Sequence, residues 1–322
     1  MIELIRKPVE KEFSAYEKAF EDSIQTDNYL LGKILSYVRK SKGKELRPIL
    51  TLLSASLVGK LNSDTIAAAV SLELLHTASL MHDDVVDQTY ERRGRFSVNA
   101  LWNNRVAILV GDYYLSKAAY VTREVKSRRI TPLLSKLGCD LSDGELLQVS
   151  NEQRLKIDEQ AYLDVIRKKT AVTFAFCTQA GAITAEATEI EENALRLFGE
   201  NIGMIFQIKD DIFDYFETAD LGKPTGNDLK EGKMTLPLIF ALEKSTLADS
   251  KPIRNMIKNK DYTSSNLKQM SDFVKSNGGI QYAETRMLEF KKSAIDNLSI
   301  FPDSEYRQAL LHCLDYAINR KK

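Results

Sequence analysis

Two short acidic segments have the residue types and spacing for metal chemistry. HDDVVD (82–87) carries Asp83, Asp84 and Asp87, and KDDIFD (209–214) carries Asp210, Asp211 and Asp214. On a helix, residues i and i+4 share a face, which sets Asp83 beside Asp87 and Asp210 beside Asp214. Like charges at that spacing destabilise a helix by a few tenths of a kcal/mol. Both clusters also fall toward the C-terminal end of their helix, where carboxylates oppose the helix dipole. With 22 aspartates in 322 residues, chance supplies only about 0.1 DDxxD matches. Hard carboxylate oxygens, without cysteine or clustered histidine, select Mg²⁺ over Zn²⁺. Mg²⁺ keeps several waters and is completed by substrate phosphates. Two such clusters facing each other imply a diphosphate held between them through metal.

A diphosphate also needs direct cationic contacts. Lys44 and Arg47 are i and i+3 in GKELRP (43–48), and Arg92 and Arg93 follow the first cluster. Lys169 opens KTA (169–171), while Lys223 and Lys233 flank the loop after the second cluster. Taken singly, each reads as a solvated surface residue. Their placement beside glycine or within a turn of an aspartate cluster points to a shared role. Arginine grips phosphate bidentately, and lysine supplies a point charge. Gln207 lies on the face of Asp210 and Asp211, as a donor to a metal-bound oxygen or as an ordinary polar helix residue. His76, two turns before Asp83, is either a phosphate donor or a satisfied structural histidine. His82 and His312 are read as structural.

The elements that must carry these residues are helices. No proline falls between Pro48 and Pro132, or between Pro132 and Pro224, and apolar residues return every three or four positions. Ile66, Val70, Leu74 and His76–Thr77 form one stripe after a cap at Ser63–Asp64. Ile202, Ile205–Phe206, Ile212–Phe213 and Phe216 form another. The residues flanking each aspartate pair, Val85–Val86 and Ile212–Phe213, suggest helices packed into a core. Breaks are expected at 41–48, 58–64, 91–95 and 219–233, with a turn at Asn277–Gly279, and no set of alternating runs would build a sheet. The expectation is one all-α domain over residues 1–322. The C-terminal third offers no usable motif.

Composition narrows the class further. With 45 basic and 45 acidic side chains, a generally basic, nucleic-acid-binding surface is excluded. At 43% hydrophobic and 28% charged, the chain is that of a soluble globular protein. The opening MIELIRKPVEKEF has no apolar stretch of the secretory kind. The longest uncharged run, Thr170–Ala185, is too short to span a bilayer and reads as a core helix. Cys139, Cys177 and Cys313 lack metal-type spacing, and a reducing, cytoplasmic setting is expected.

Six segments together resemble the trans-prenyl (polyprenyl) diphosphate synthases: GKELRP (43–48), ELLHTASLMHDDVVDQTYERRG (73–94), VGDYYLSKA (110–118), KTA (169–171), FQIKDDIFDY (206–215) and GKPTGNDLKEGKMTLP (222–237). The resemblance implies the isoprenoid synthase fold, about a dozen helices around a deep central cavity, and a homodimer. It assigns Asp83, Asp87 and Asp210 as Mg²⁺ ligands, with Asp84, Asp211 and Asp214 in support and two or three ions bridged by substrate. Arg92, Lys169, Thr170, Gln207, Lys223 and Lys233 would hold the allylic diphosphate. Lys44, Arg47, His76 and Arg93 would hold isopentenyl diphosphate. Glu45 is a departure, because relatives often carry a basic residue there. The implied chemistry is ionisation, condensation and elimination, with peripheral membrane contact open for product release.

In this family the residues five and four positions before the first cluster limit product length. Here they are Ala78 and Ser79, both small, which implies a long product of about C35 to C50, octaprenyl diphosphate synthase-like. Leu75, or a residue near Phe174, could plug the tunnel deeper, giving a farnesyl or geranylgeranyl enzyme instead. A class I terpene cyclase usually replaces the second aspartate cluster, which is intact here. A non-catalytic regulatory subunit tends to lose aspartates or basic pairs, and this chain keeps them all.

Overall fold

The computed structural model describes residues 1–41, 43–154, 158–216 and 227–320. Among the described residues there are seventeen α-helices, three of them of five residues or fewer. The only β structure among them is a ribbon pairing Glu91 with Phe96 and Arg92 with Arg95. The chain forms two compact units, each assembled from separated stretches. The first comprises Met1–Gly138, Phe174–Leu197 and Asn297–Cys313. The second comprises Cys139–Thr173, Phe198–Asp296 and Leu314–Lys322.

The first unit is organised by the 24-residue helix Ser63–Val86. Its N-cap is Asn62, one residue before the position expected from the sequence. The Asn62 side chain accepts from the Asp64 and Thr65 amides at 2.9 and 3.2 Å, satisfying donors that a helix start leaves orphaned. Its amide also donates to the Thr184 carbonyl at 2.8 Å, and this tertiary bond fixes which polar residue caps. Ala67, Ala68, Ala69, Val70, Leu72 and Leu74 are buried along the helix. That small-residue stretch lets Leu46–Val58 and Asn104–Val121 pack closely on it. Full burial of each leucine or isoleucine in this core contributes about 1.5–3 kcal/mol. Phe174, Phe176 and Cys177 are also buried, and no helix among the described residues is long and apolar enough to cross a membrane.

The second unit buries Phe198, Ile202, Ile205, Ile208 and Ile212, the inward stripe of helix Glu189–Phe213. Phe206 and Phe213 are partly buried, and Phe216, past the helix end, is 40% exposed. Val86, expected in a core, is 77% exposed: it ends its helix and faces outward. The turn at Asn277–Gly279 separates helices Ser264–Ser276 and Gly279–Leu298.

Candidate active site

In the first unit, helix Ser63–Val86 stops inside the aspartate cluster. Asp87 is its C-cap residue, with φ −84° and ψ 1°, and the Asp87 amide still donates to the Asp83 carbonyl at 2.8 Å. Asp84 turns inward and is 2% exposed. Asp83 is partly buried and Asp87 is exposed. A buried carboxylate needs a partner, and Arg92 supplies it from the ribbon: Nε and Nη2 donate to Asp84 Oδ1 at 2.8 and 2.7 Å. Burial raises the Asp84 pKa, and Arg92 opposes that rise. The ribbon turns through Arg93 (φ 56°) and Gly94 (φ 71°), two consecutive left-handed residues that match strand twist in a tight hairpin.

The hairpin delivers Arg93 to the GKELRP segment. The Arg93 guanidinium lies against the Gly43 backbone, where a Cβ would come within 2.6 Å of Nη2, so any side chain at 43 would have to displace the guanidinium. Arg93 Nη1 donates to the Ser41 carbonyl at 2.8 Å. Glu45 takes a left-handed φ of 49° before helix Leu46–Val58, and its carboxylate lies 3.8 Å from Arg39. The Arg47 guanidinium stacks 5.2 Å from the Phe174 ring centre. His76 is held well below its usual pKa by burial, then by Arg47, Arg93 and Arg92, so its imidazole is neutral and cations surround it. Glu73 faces the same cations. Its Oε2 is buried without a hydrogen-bond partner, and burial raises its pKa against the pull of Arg47, Arg93 and Arg39. Lys44 is exposed. Ala78 is 2% exposed, and Ser79 folds its hydroxyl back onto the His76 carbonyl at 2.9 Å.

In the second unit, Asp211 is the inward carboxylate, 4% exposed. It accepts from Tyr162 Oη at 2.6 Å and from Gln207 Nε2 at 2.8 Å. Gln207 Oε1 in turn accepts from Thr170 Oγ1 at 2.7 Å. Burial, then Asp228, pushes the Asp211 carboxyl up to about 8. Thr170 sits in a π-helical turn, Arg167–Ala171, a form frequent at functional sites. Lys169, in the same turn, donates to Glu145 at 2.8 Å and to Gln148 at 3.2 Å. Asp214 Oδ2 accepts from the Asp228 and Leu229 amides at 3.1 and 3.4 Å, anchoring the short helix Asn227–Lys230. Lys233 pairs with Asp228 at 3.3 Å and with Glu231 at 2.5 Å. A single cavity is lined by Tyr162, Lys169, Gln207, Asp211, Asp228 and Lys233. Asp210, 44% exposed, pairs with Arg320 at 2.8 Å. Lys223 lies outside the described residues.

The structure thus gathers Arg47, His76, Arg92 and Arg93 in the first unit, and Lys169, Thr170, Gln207 and Lys233 in the second. Sequence reasoning missed Tyr162, Asp228 and Arg320. Asp228 stood inside a quoted motif and was legible there as an acidic residue. Tyr162 and Arg320 gave no local signal. The donor set fits Mg²⁺: Asp83, Asp87 and Asp210 offer hard oxygens and are not buried. Among the described residues no three His, Cys, Asp or Glu side chains form a cage.

Helices carrying paired aspartates with arginine and lysine partners are the architecture of the isoprenoid synthases. The polyprenyl synthase of Caulobacter crescentus, solved with calcium and isoprenyl diphosphate, superposes with a TM-score of 0.93 at 29% identity, covering 100% of this chain and 98% of that one. The geranylgeranyl pyrophosphate synthase of Bacteroides thetaiotaomicron superposes with a TM-score of 0.86 at 42% identity, covering 99% of each. The all-trans-nonaprenyl-diphosphate synthase (geranyl-diphosphate specific) of Rhodobacter capsulatus is 37% identical over 318 residues, 98% of this chain and 97% of that protein. Residues 28–274 match the polyprenyl synthetase family, and the chain belongs to that family as a trans-prenyltransferase.

Proposed function

We propose that this enzyme condenses isopentenyl diphosphate head-to-tail with an allylic diphosphate to build a long all-trans polyprenyl chain, of the kind that serves as a quinone side chain. The observation that carries the reading is that the chain has two DDxxD clusters, each with its inner carboxylate buried and partnered. Asp83, Asp87 and Asp210 would hold Mg²⁺, two or three ions in all, with Asp84, Asp211 and Asp214 fixing the local frame. When bound, the metal neutralises the departing diphosphate.

Arg92, Lys169, Thr170, Gln207, Lys223 and Lys233 orient the allylic diphosphate. Their charge and hydrogen bonds stabilise the leaving group as the allylic carbon–oxygen bond breaks. Lys44, Arg47 and Arg93 hold the second diphosphate, with neutral His76 donating one hydrogen bond. The double bond of isopentenyl diphosphate attacks the allylic cation, and the released diphosphate takes the proton that leaves. No protein nucleophile is required, and apolar walls keep water from the cation.

Small side chains at Ala78 and Ser79 and the nonaprenyl relative support a long product. The 42% identity to a geranylgeranyl synthase favours the second reading, a short-chain enzyme. Chromatography of the product made from labelled isopentenyl diphosphate separates the two, a product of about C35 or longer supporting the first and one of C20 or shorter the second. The exposed apolar side chains Ile108, Leu109, Leu115 and Tyr120 of helix Asn104–Val121 support a homodimer. Three free cysteines support a reducing, cytoplasmic setting, with membrane contact at product release.

A further inference from the structure

We infer that Arg320 is a positioning residue for Asp210, holding one carboxylate oxygen so that the other is presented to the metal; this rests on the reading of Asp210 as a ligand. Arg320 follows helix Glu305–Asn319, and its amide donates to the Tyr316 carbonyl at 2.9 Å. An arginine just beyond a surface helix normally keeps its long side chain in water. This one is 8% exposed. Its guanidinium carbon lies over the Phe206 ring, 3.7 Å from the centre, and 5.5 Å from that of Phe213. Nη2 donates to the Phe206 carbonyl at 2.7 Å and to Asp210 Oδ1 at 2.8 Å. Stacking and the carbonyl together fix the guanidinium plane before Asp210 is engaged.

That geometry does two things for the carboxylate. It restricts its rotation, since Oδ1 is tied to a group that is itself immobile. It also places a positive charge beside Asp210, whose helix neighbour Asp211 lies next to Asp228. Asp210 remains 44% exposed while the Arg320 side chain is 6% exposed, so the pair is anchored on the arginine side and open on the carboxylate side. Groups that hydrogen-bond a ligating carboxylate tune its geometry, and their loss typically costs about 10–100-fold in metal affinity or activity. A lysine could supply the charge but not the flat two-point attachment.

The test uses the full chain with Mn²⁺ as the probe in the presence of inorganic diphosphate. Free Mn²⁺ is read by electron paramagnetic resonance for the wild type, R320Q, R320K and D210N, and folding is checked by circular dichroism. R320Q is expected to weaken Mn²⁺ binding at least ten-fold, with R320K intermediate and D210N at least as weak as R320Q. R320Q equal to wild type while D210N is weakened would overturn the positioning role. D210N equal to wild type would instead overturn the assignment of Asp210 as a ligand. Tighter binding in R320Q would show that Arg320 competes with the ion, and would also refute the inference. If R320Q does not fold, R320K decides: weakened binding there supports the positioning role, and wild-type affinity overturns it by showing that charge alone suffices.

Discussion

Replacing Arg92 by glutamine should damage stability far more than replacing its partner Asp84 by asparagine. The Asp84 side chain is 2% exposed and that of Arg92 35%, so the two losses differ in kind. Arg92→Gln strands a carboxylate where water cannot reach it. Breaking a buried pair in this way costs about 3–5 kcal/mol. Asp84→Asn removes the buried charge and leaves a cation that can turn to solvent, a loss of about 1 kcal/mol. For 322 residues, an unfolding entropy of about 2.1 cal/mol/K per residue converts 1 kcal/mol to about 1.5 °C. The expected drops in melting temperature are therefore about 4–7 °C for Arg92→Gln and about 1–2 °C for Asp84→Asn. The double variant should recover most of the larger loss, because neither charge is left stranded. Thermal unfolding followed by circular dichroism in chelator-containing buffer reads the pair without metal. Equal losses in the two single variants, or a double variant as unstable as Arg92→Gln, would refute the reasoning.

The other expectations concern turnover, product and pH. Asp83→Ala should cut turnover by two or more orders of magnitude with the circular dichroism spectrum kept, since a lost ligand removes transition-state charge stabilisation; near-normal turnover would sink its assignment. Ala78→Phe and Ser79→Phe should each shorten the product seen by chromatography, and an unchanged ladder from both would show that neither sets the tunnel floor. Burial raises the Glu73 pKa, so folding is penalised once pH exceeds the ordinary glutamate range. Glu73→Gln should gain melting temperature relative to wild type as pH rises from about 4 to 7. A difference that is flat or reversed over that range would contradict the burial of this carboxylate.

What could be read in the sequence was whatever the chain writes locally. The aspartates of each cluster, the basic residues beside glycine and the turn at Asn277–Gly279 each lie within a few residues of one another, although Asp87 and Asp214 fall just past their helix ends. Gln207 was legible for the same reason: one helical turn separates it from Asp211, which it meets at 2.8 Å. Tyr162 is 49 positions from Asp211, and Arg320 donates to a carbonyl 114 positions away. Neither has a periodicity or neighbour to mark it, because only tertiary packing brings the partners together. The N-cap was misplaced by one residue because the Asn62 bond to Thr184 reaches across 122 positions. Val86 was taken for a core residue because an apolar side chain in a helical run carries no sign of where the helix stops.

The π-helical turn Arg167–Ala171 works as an adjustment of phase. Tyr162 lies in helix Glu159–Ile166 and Thr170 in the turn that follows, eight residues on. In an unbroken α-helix, eight steps would leave the two side chains about 80° apart around the axis. A turn closed by i→i+5 bonds advances less per residue and takes up much of that offset. Both hydroxyls then reach the same chain of hydrogen bonds, Tyr162 to Asp211 and Thr170 through Gln207. The length of this segment is therefore specified as strictly as its residues. Losing even Lys168, whose ammonium meets Asp143 at the surface, would let the helix regularise and swing Thr170 away from its partner.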